Sequence, residues 1–116
     1  MDLKNSAKSR ILHQMNKKTD IIKSIAIDIL PECRVILFGS RARNTHEADS
    51  DFDVLLISRK TLPIHEKRDL KAQLRKRLAT QGIPTDVVIQ SEAEVRQKSQ
   101  ITGHLVKTIA GEGVAL

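Results

Sequence analysis

From Leu3 to Leu30 the apolar residues Leu3, Ala7, Ile11, Met15, Ile22, Ile25 and Ile29 return mostly every third or fourth position, with Lys and Asp between them. That period predicts an amphipathic helix. Pro31 ends it, because proline cannot sit in a helix interior without breaking the ladder. The pattern then shortens. Cys33 to Phe38 is an apolar, β-branched run stopped by Gly39, and Asp51 to Ser58 is a second; both predict buried strands, with a polar loop between them. Leu70, Leu74 and Leu78 predict a helix that Pro63 opens and Gly82 closes. Thr85 to Gln90 reads as a third strand. Ser91 followed by Glu94 is a capping-box pattern for a last helix carrying Val95, Ile101 or Thr102, Leu105 and Ile109. The order helix, strand, strand, helix, strand, helix predicts an α/β (α+β) fold in which a small sheet is covered by helices.

Length and composition narrow this. The 116 residues are expected to form one domain, 1–116, since little is left over for a second core. Hydrophobic residues at 40% against 29% charged place the chain among folded proteins. Phe38 and Phe52 are the only aromatics, so the core rests on Ile, Leu and Val, and modest stability with dependence on a partner is expected. The net charge of +6 is spread through stretches that also carry acids, without a dense basic tract or interleaved aromatics. It reads as a solvated basic surface, and direct nucleic-acid binding is not expected. No apolar run approaches the roughly 20 residues that span a bilayer, and MDLKNSAKSR lacks a signal-peptide core, so a cytoplasmic protein without membrane attachment is expected. Cys33, the lone cysteine, is followed by Val35, Ile36 and Leu37 and reads as a buried structural thiol. His13, His46, His65 and His104 have no ligand-like spacing.

The unusual stretch is FGSRARNTHEADSDFDVLLI, Phe38 to Ile57. Alternation along a strand puts Asp51 and Asp53 on one side, with Cα atoms roughly 6.6 Å apart, and Phe52, Val54 and Leu56 on the other. Paired carboxylates repel unless a cation offsets them, and oxygen ligands of this kind suit Mg²⁺. Asp49 extends the alternation, but a calcium loop starting there would need Gly and Glu where Val54 and Lys60 stand. Gly39-Ser40 directly follows the first strand, where a glycine lets backbone N–H groups approach a phosphate and a serine adds a donor.

Gly39-Ser40, ten intervening residues, then Asp51-Phe52-Asp53 resembles the G-S-x10-D-x-D signature of the nucleotidyltransferase superfamily, relatives of DNA polymerase β. The stretch from Gly39 to Asn44, GSRARN, is similar to the GSRARG of minimal nucleotidyltransferase (MNT) domains, many of them MntA-type antitoxins paired with HEPN-domain toxins. Asn44 stands where that family has glycine, and Asn is the next-best residue for a left-handed backbone. The resemblance implies a small mixed sheet with a polymerase-β-like catalytic core and a third carboxylate on a later strand, for which IPTDVVI offers Asp86. It implies two Mg²⁺ ions held by Asp51, Asp53 and Asp86, with Asp86 helping to take a hydroxyl proton. ATP would be the substrate, with its triphosphate against Gly39 and Ser40 and within reach of Arg41 or Arg43. It also implies that the chain is an antitoxin enzyme, a protein adenylyltransferase that moves AMP onto a hydroxyl, a tyrosine by resemblance, of a partner HEPN toxin.

Three other functions stay open on the sequence. The chain could neutralise a toxin by occlusion without catalysis, or act on nucleic acid through Arg68, Lys71, Arg75 and Lys76. Transfer to a small molecule usually goes with a further substrate domain.

Overall fold

The structure, a computed structural model, describes residues 17–43, 50–100, 109 and 112–116, without the side chains of Ser40 and Arg43. Leu3, Ala7, Ile11, Met15, Asn44, Asp49, Ile101, Thr102 and Leu105 therefore lie outside the described residues, as do His13, His46 and His104.

Helix α1, residues 17–29, turns Ile22 and Ala26 fully inward, as the threefold-to-fourfold spacing requires. Pro31 and a left-handed Glu32 (φ 65°) then reverse the chain into strand β1, Arg34–Phe38. The polar connection expected next begins with a short helix, α2 (Gly39–Arg43), before strand β2 (Phe52–Ser58). Helix α3 (Ile64–Thr80) leads to strand β3 (Thr85–Ser91), which runs straight into helix α4 (Glu92–Lys98). Strand β4, Val114–Ala115, closes the sheet. The sequence pattern missed β4 because two residues are too few to show any period.

The sheet order is β3-β2-β1-β4, with β2 parallel to β3 and β1 antiparallel to both β2 and β4. The sheet is therefore mixed, as expected. Parallel pairing of β2 and β3 needs a crossover, and α3 supplies it.

Both faces of the sheet carry core. On one, Phe52, Val54 and Leu56 of β2 pack with Val35 and Leu37, Val87 and Ile89, and the buried residues of α1 and α3. On the other, Leu55 and Ile57 pack with Ile109, helped by Ile36, Phe38, Val88 and Val95. β2 is thus buried on both faces, as its apolar run predicts, and alternates only at its start, where Asp53 stands between Phe52 and Val54. Each fully buried Leu or Ile contributes roughly 1.5–3 kcal/mol by leaving water, so the larger face dominates stability. Cys33 sits in that core, its thiol donating to the Ala26 carbonyl at 3.8 Å. Burial pushes the thiol pKa up, with an opposing backbone hydrogen bond, which leaves it a packing residue as expected.

Two helix ends were legible in advance. Gly82 (φ 72°) takes the left-handed position after α3, and the Ile83 and Gly82 N–H groups reach back to Leu78 and Ala79 at 2.9 and 3.0 Å. That is a Schellman closure, with Ile83 and Leu78 in apolar contact range within one core. At α4, Ser91 Oγ accepts from the Glu94 N–H (3.1 Å) and a Glu94 carboxylate oxygen accepts from the Ser91 N–H (2.9 Å). Lys67 of α3 donates to both Glu94 oxygens at 2.9 and 2.8 Å, tying α3 to α4.

Burial alone would raise the Glu94 carboxyl, but the bonds from Lys67 and Ser91 outweigh it and hold the pKa below its ordinary value. A carboxyl lowered in the folded state stabilises fully above its unfolded pKa, about 4.3, and loses that stabilisation as pH falls through the lower folded value. Glu94→Gln should therefore lower stability by about 1 kcal/mol at neutral pH. The difference from wild type should shrink progressively below about pH 4, as read from urea midpoints across pH.

Candidate active site

β1 and β2 fix the site by register. Phe38 faces Asp53 across the antiparallel pair, and Asp53 faces Asp86 across the parallel one. Neighbouring strands lie about 4.8 Å apart, so two carboxylates occupy adjacent places on one side of the sheet. Asp51 precedes β2 by one residue and, by alternation, shares that side. The Phe52 N–H donates to the Pro84 carbonyl at 2.9 Å, which locks the starts of β2 and β3 together and sets this alignment. Asp51 and Asp86 are exposed and Asp53 is half-buried. Asp53 and Asp86 lie on the side of Leu55 and Ile57, while Asp51, one residue before the strand, also borders the groove beneath α3.

Gly39 explains how Asp53 is accommodated. Its φ of 73° lies in the left-handed region, and a Cβ placed on it would overlap the Asp53 carboxylate. Only glycine satisfies both the backbone angle and the close approach. The Asp53 side chain is thereby packed directly against the turn between β1 and α2.

The donor set is all carboxylate oxygen, which suits a hard cation such as Mg²⁺, and the Gly39 cradle holds one member of the set in a fixed place. Asp53 and Asp86 are brought into register, and Asp51 stands beside them. Among the described residues, however, no three His, Cys, Asp or Glu side chains converge on one point as they stand.

Arg41 departs from expectation. The sequence resemblance aims it at a triphosphate, but in the structure it is 6% exposed. Its Nε and Nη2 donate to the Ser50 carbonyl at 3.2 and 2.7 Å, and its guanidinium stacks over the Phe52 ring, 4.2 Å from the centroid. The polar segment that leaves α2 is thus tied down one residue before Asp51. A charge-assisted bond and a cation–π contact at a buried place are both stronger than at the surface, so Arg41 braces the entry to β2. Sequence reasoning missed this because Phe52 was read only as core; the signal was an arginine ten residues before the metal-type carboxylate, with an aromatic directly after it. The side chains of Ser40 and Arg43 lie outside the described residues.

With this geometry in view, comparisons with known proteins place the chain. The family model for the nucleotidyltransferase domain matches residues 19–108, and the chain belongs to that family. A comparison with functionally curated proteins gives no significant match. Among solved structures, the chain resembles a Sulfolobus solfataricus protein assigned to the nucleotidyltransferases, at 19% identity and TM-score 0.58 over 88% of this chain and 78% of that one. A toxin–antitoxin complex with AMP-PNP gives 23% identity and TM-score 0.54 over 84% and 70%. A Shewanella oneidensis complex of tri-AMPylated HEPN toxin with MNT antitoxin gives 17% identity and TM-score 0.54 over 87% and 70%. At these identities the three likenesses establish the shared fold.

Two variants test the geometry. Gly82 shares the left-handed angle of Gly39, but a Cβ there would meet nothing within 4 Å. Gly82→Ala should lower stability by about 1–2 kcal/mol from the backbone alone. Gly39→Ala should cost about 1–3 kcal/mol more, because a methyl is forced into the Asp53 carboxylate; urea unfolding of both variants measures the difference. Arg41→Met should lower stability by about 1–3 kcal/mol and slow catalysis while leaving ATP affinity within about twofold of wild type. A triphosphate ligand would give the opposite split in calorimetry, weaker ATP binding with stability intact.

Proposed function

We propose that the chain is a Mg²⁺-dependent adenylyltransferase that moves AMP from ATP to a hydroxyl of a partner HEPN toxin and so acts as its antitoxin. The observation that carries this is the Asp53–Asp86 register with Asp51 alongside and Gly39 packed on Asp53. Such an arrangement gathers negative charge on one side of two adjacent strands, which is useful chiefly for holding cations against phosphate. Support for the partner comes from neighbours of the same fold, one in complex with a tri-AMPylated HEPN toxin and one, in a toxin–antitoxin complex, with AMP-PNP.

Asp51, Asp53 and Asp86 would hold the Mg²⁺, two ions in this reading. The metal, when bound, supplies positive charge that offsets the triphosphate and eases ionisation of the acceptor hydroxyl. The chain's own residues do the rest. The backbone at Gly39 and the Ser40 residue receive phosphate oxygens of ATP beside Asp53. Asp86, exposed at the start of β3, takes the proton of the acceptor hydroxyl. The hydroxyl oxygen, a tyrosine in this reading, forms the new bond to the α-phosphorus, the bond from that phosphorus to the bridging oxygen breaks, and pyrophosphate leaves. Arg41 acts at one remove, by bracing the segment that ends in Asp51. Among the described residues no helix is long and apolar enough to cross a membrane; a cytoplasmic setting accords with an ATP-dependent reaction on an intracellular RNase-type toxin.

Intact-mass measurement of a HEPN protein encoded beside this chain, after incubation with it and Mg-ATP, tests the proposal. The expected outcome is a gain of one or more AMP units, with the rate reduced by about 100-fold or more in the Asp51→Asn, Asp53→Asn double variant. A stable complex with no mass gain, equally formed by the variant, would instead establish neutralisation by occlusion.

A further inference from the structure

Helix α3 carries cations of two kinds. Lys67 is bonded to Glu94 and Arg77 to Asp28 (2.6 Å). Arg68, Lys71, Arg75 and Lys76 have no ion pair among the described residues, and they line two grooves where α3 passes over β3. One groove, of about 450 Å³, is bounded by Arg75 and Lys76, by Ala72 and Ala79 between them, by Pro84 and Thr85 at the start of β3, and by Asp51. The other, about 260 Å³, lies farther along the helix and includes Arg68 and Lys71. Among the described residues, Asp51 is the only acidic one in either lining.

Topology gives the first groove its meaning. In the order β3-β2-β1-β4, Gly39 and Ser40 follow the end of β1 and so flank the start of β2 on the β1 side. The groove at Pro84 and Thr85 flanks it on the β3 side. Asp51, which lines this groove, thus joins the α3 face of the sheet end to the side on which Asp53 stands beside the Gly39 turn. A two-substrate reaction needs two approaches to one centre, and this sheet end has them on opposite sides.

We propose that the unpaired cations of α3 form a docking track for an acidic segment of the protein acceptor, which enters at Arg68 and Lys71 and reaches the site at Arg75, Lys76 and Asp51. The proposal rests on the transferase reading and deepens it by naming what the acceptor presents. Arg68 to Lys76 span about 12 Å of helix at 1.5 Å per residue, the length of about four extended residues. Charge selects an acidic occupant, because four cations without an ion pair among the described residues, in linings whose one described acid is Asp51, leave a positive field that opposite charge relieves. Single-stranded RNA fits less well. The chain has two aromatics, and Phe52 is 1% exposed beneath Arg41, so the track has no platform on which bases could stack. The apolar floor of Ala72, Ala79 and Pro84 accepts the methylene parts of peptide side chains instead.

The test uses the full chain and three titrations against Arg75→Glu, Lys76→Glu, with Arg75→Lys, Lys76→Arg as the charge-preserving control and circular dichroism to verify folding. Fluorescence anisotropy with a labelled hexaglutamate peptide at low salt should show binding to wild type and the control, weakened about tenfold or more by reversal. Calorimetry with Mg-ATP should show affinity within about twofold of wild type. Transfer to the HEPN acceptor should show KM raised about tenfold or more with kcat little changed. Equal hexaglutamate binding by the reversed variant would overturn the proposal. So would loss of ATP affinity, which would assign the groove to the triphosphate, or reversal-sensitive binding of oligouridylate in place of the peptide, which would assign it to RNA. If wild type transfers nothing to the acceptor, the transferase reading fails on that arm alone, and the peptide titration still decides the track.

Discussion

The close approach of Gly39 to Asp53 is the constraint on which the rest of the site depends. A strand that ends in an ordinary residue would carry a Cβ into the space the Asp53 carboxylate fills. The chain therefore needs a residue that tolerates φ 73° and has no side chain. With that satisfied, β1 pairs with β2 far enough to put Phe38 opposite Asp53, and the same residue of β2 is then in register with Asp86. One glycine thus lets two strand pairings share a common row. The Phe52-to-Pro84 hydrogen bond holds the row at its outer end, and a slip of one residue would send every carboxylate to the opposite face.

The position of the acids follows from the energetics of the two cores. The side of the sheet packed by α1 and α3 is apolar through its middle, at Phe52, Val54 and Leu56 and at Val87 and Ile89. A carboxylate there would be stripped of water with nothing to replace it. On the other side, among the described residues, the apolar cover centres on Leu55, Ile57 and Ile109, and Asp51 and Asp86 are exposed to water with Asp53 half-buried. Charge accumulation is affordable only at this end of this side. Arg41 fixes the residue just before Asp51. Its bonds to the Ser50 carbonyl and its stacking on Phe52 supply that constraint.

Most of this was legible in the residue pattern, and the misses have physical causes. The three longer strands, the crossover helix between Pro63 and Gly82, and the Ser91–Glu94 capping box each leave a local signature, since periodicity and end-chemistry are properties of neighbouring residues. The Gly39-Ser40 and Asp51-Phe52-Asp53 spacing was equally visible. Asp86 leaves a weaker signal, because a lone Asp at a strand start is ordinarily a turn residue; the β2–β3 register sets it opposite Asp53. Strand β4 left no period to read. Arg41 was assigned to a ligand because arginines near a glycine turn favour phosphate, and nothing in sequence tells an inward guanidinium from an outward one. The burial of β2 on both faces follows from its apolar run, while the residues that cover it do not. Leu55 and Ile57 look like any continuation of an apolar strand until a second set of residues, Ile109 and Val95, is seen to cover them.

The β2–α3–β3 crossover links these levels. A parallel pair cannot be closed by a turn, so a helix is obligatory there, and its inner stripe of Leu74 and Leu78 is spent on the larger core. The same helix then exposes its remaining faces beside the starts of β2 and β3, where Asp51 borders its groove. Cations on those faces have two fates. Lys67 and Arg77 are consumed in joining α3 to α4 and α1, through Glu94 and Asp28, which secures the helix against the body of the protein. Arg75 and Lys76 are left at the rim of the groove beside Asp51. The helix that the parallel pairing requires therefore also sets the charge at the approach to the carboxylates, so in the proposed reaction the element that brings Asp86 into register also governs what can reach it.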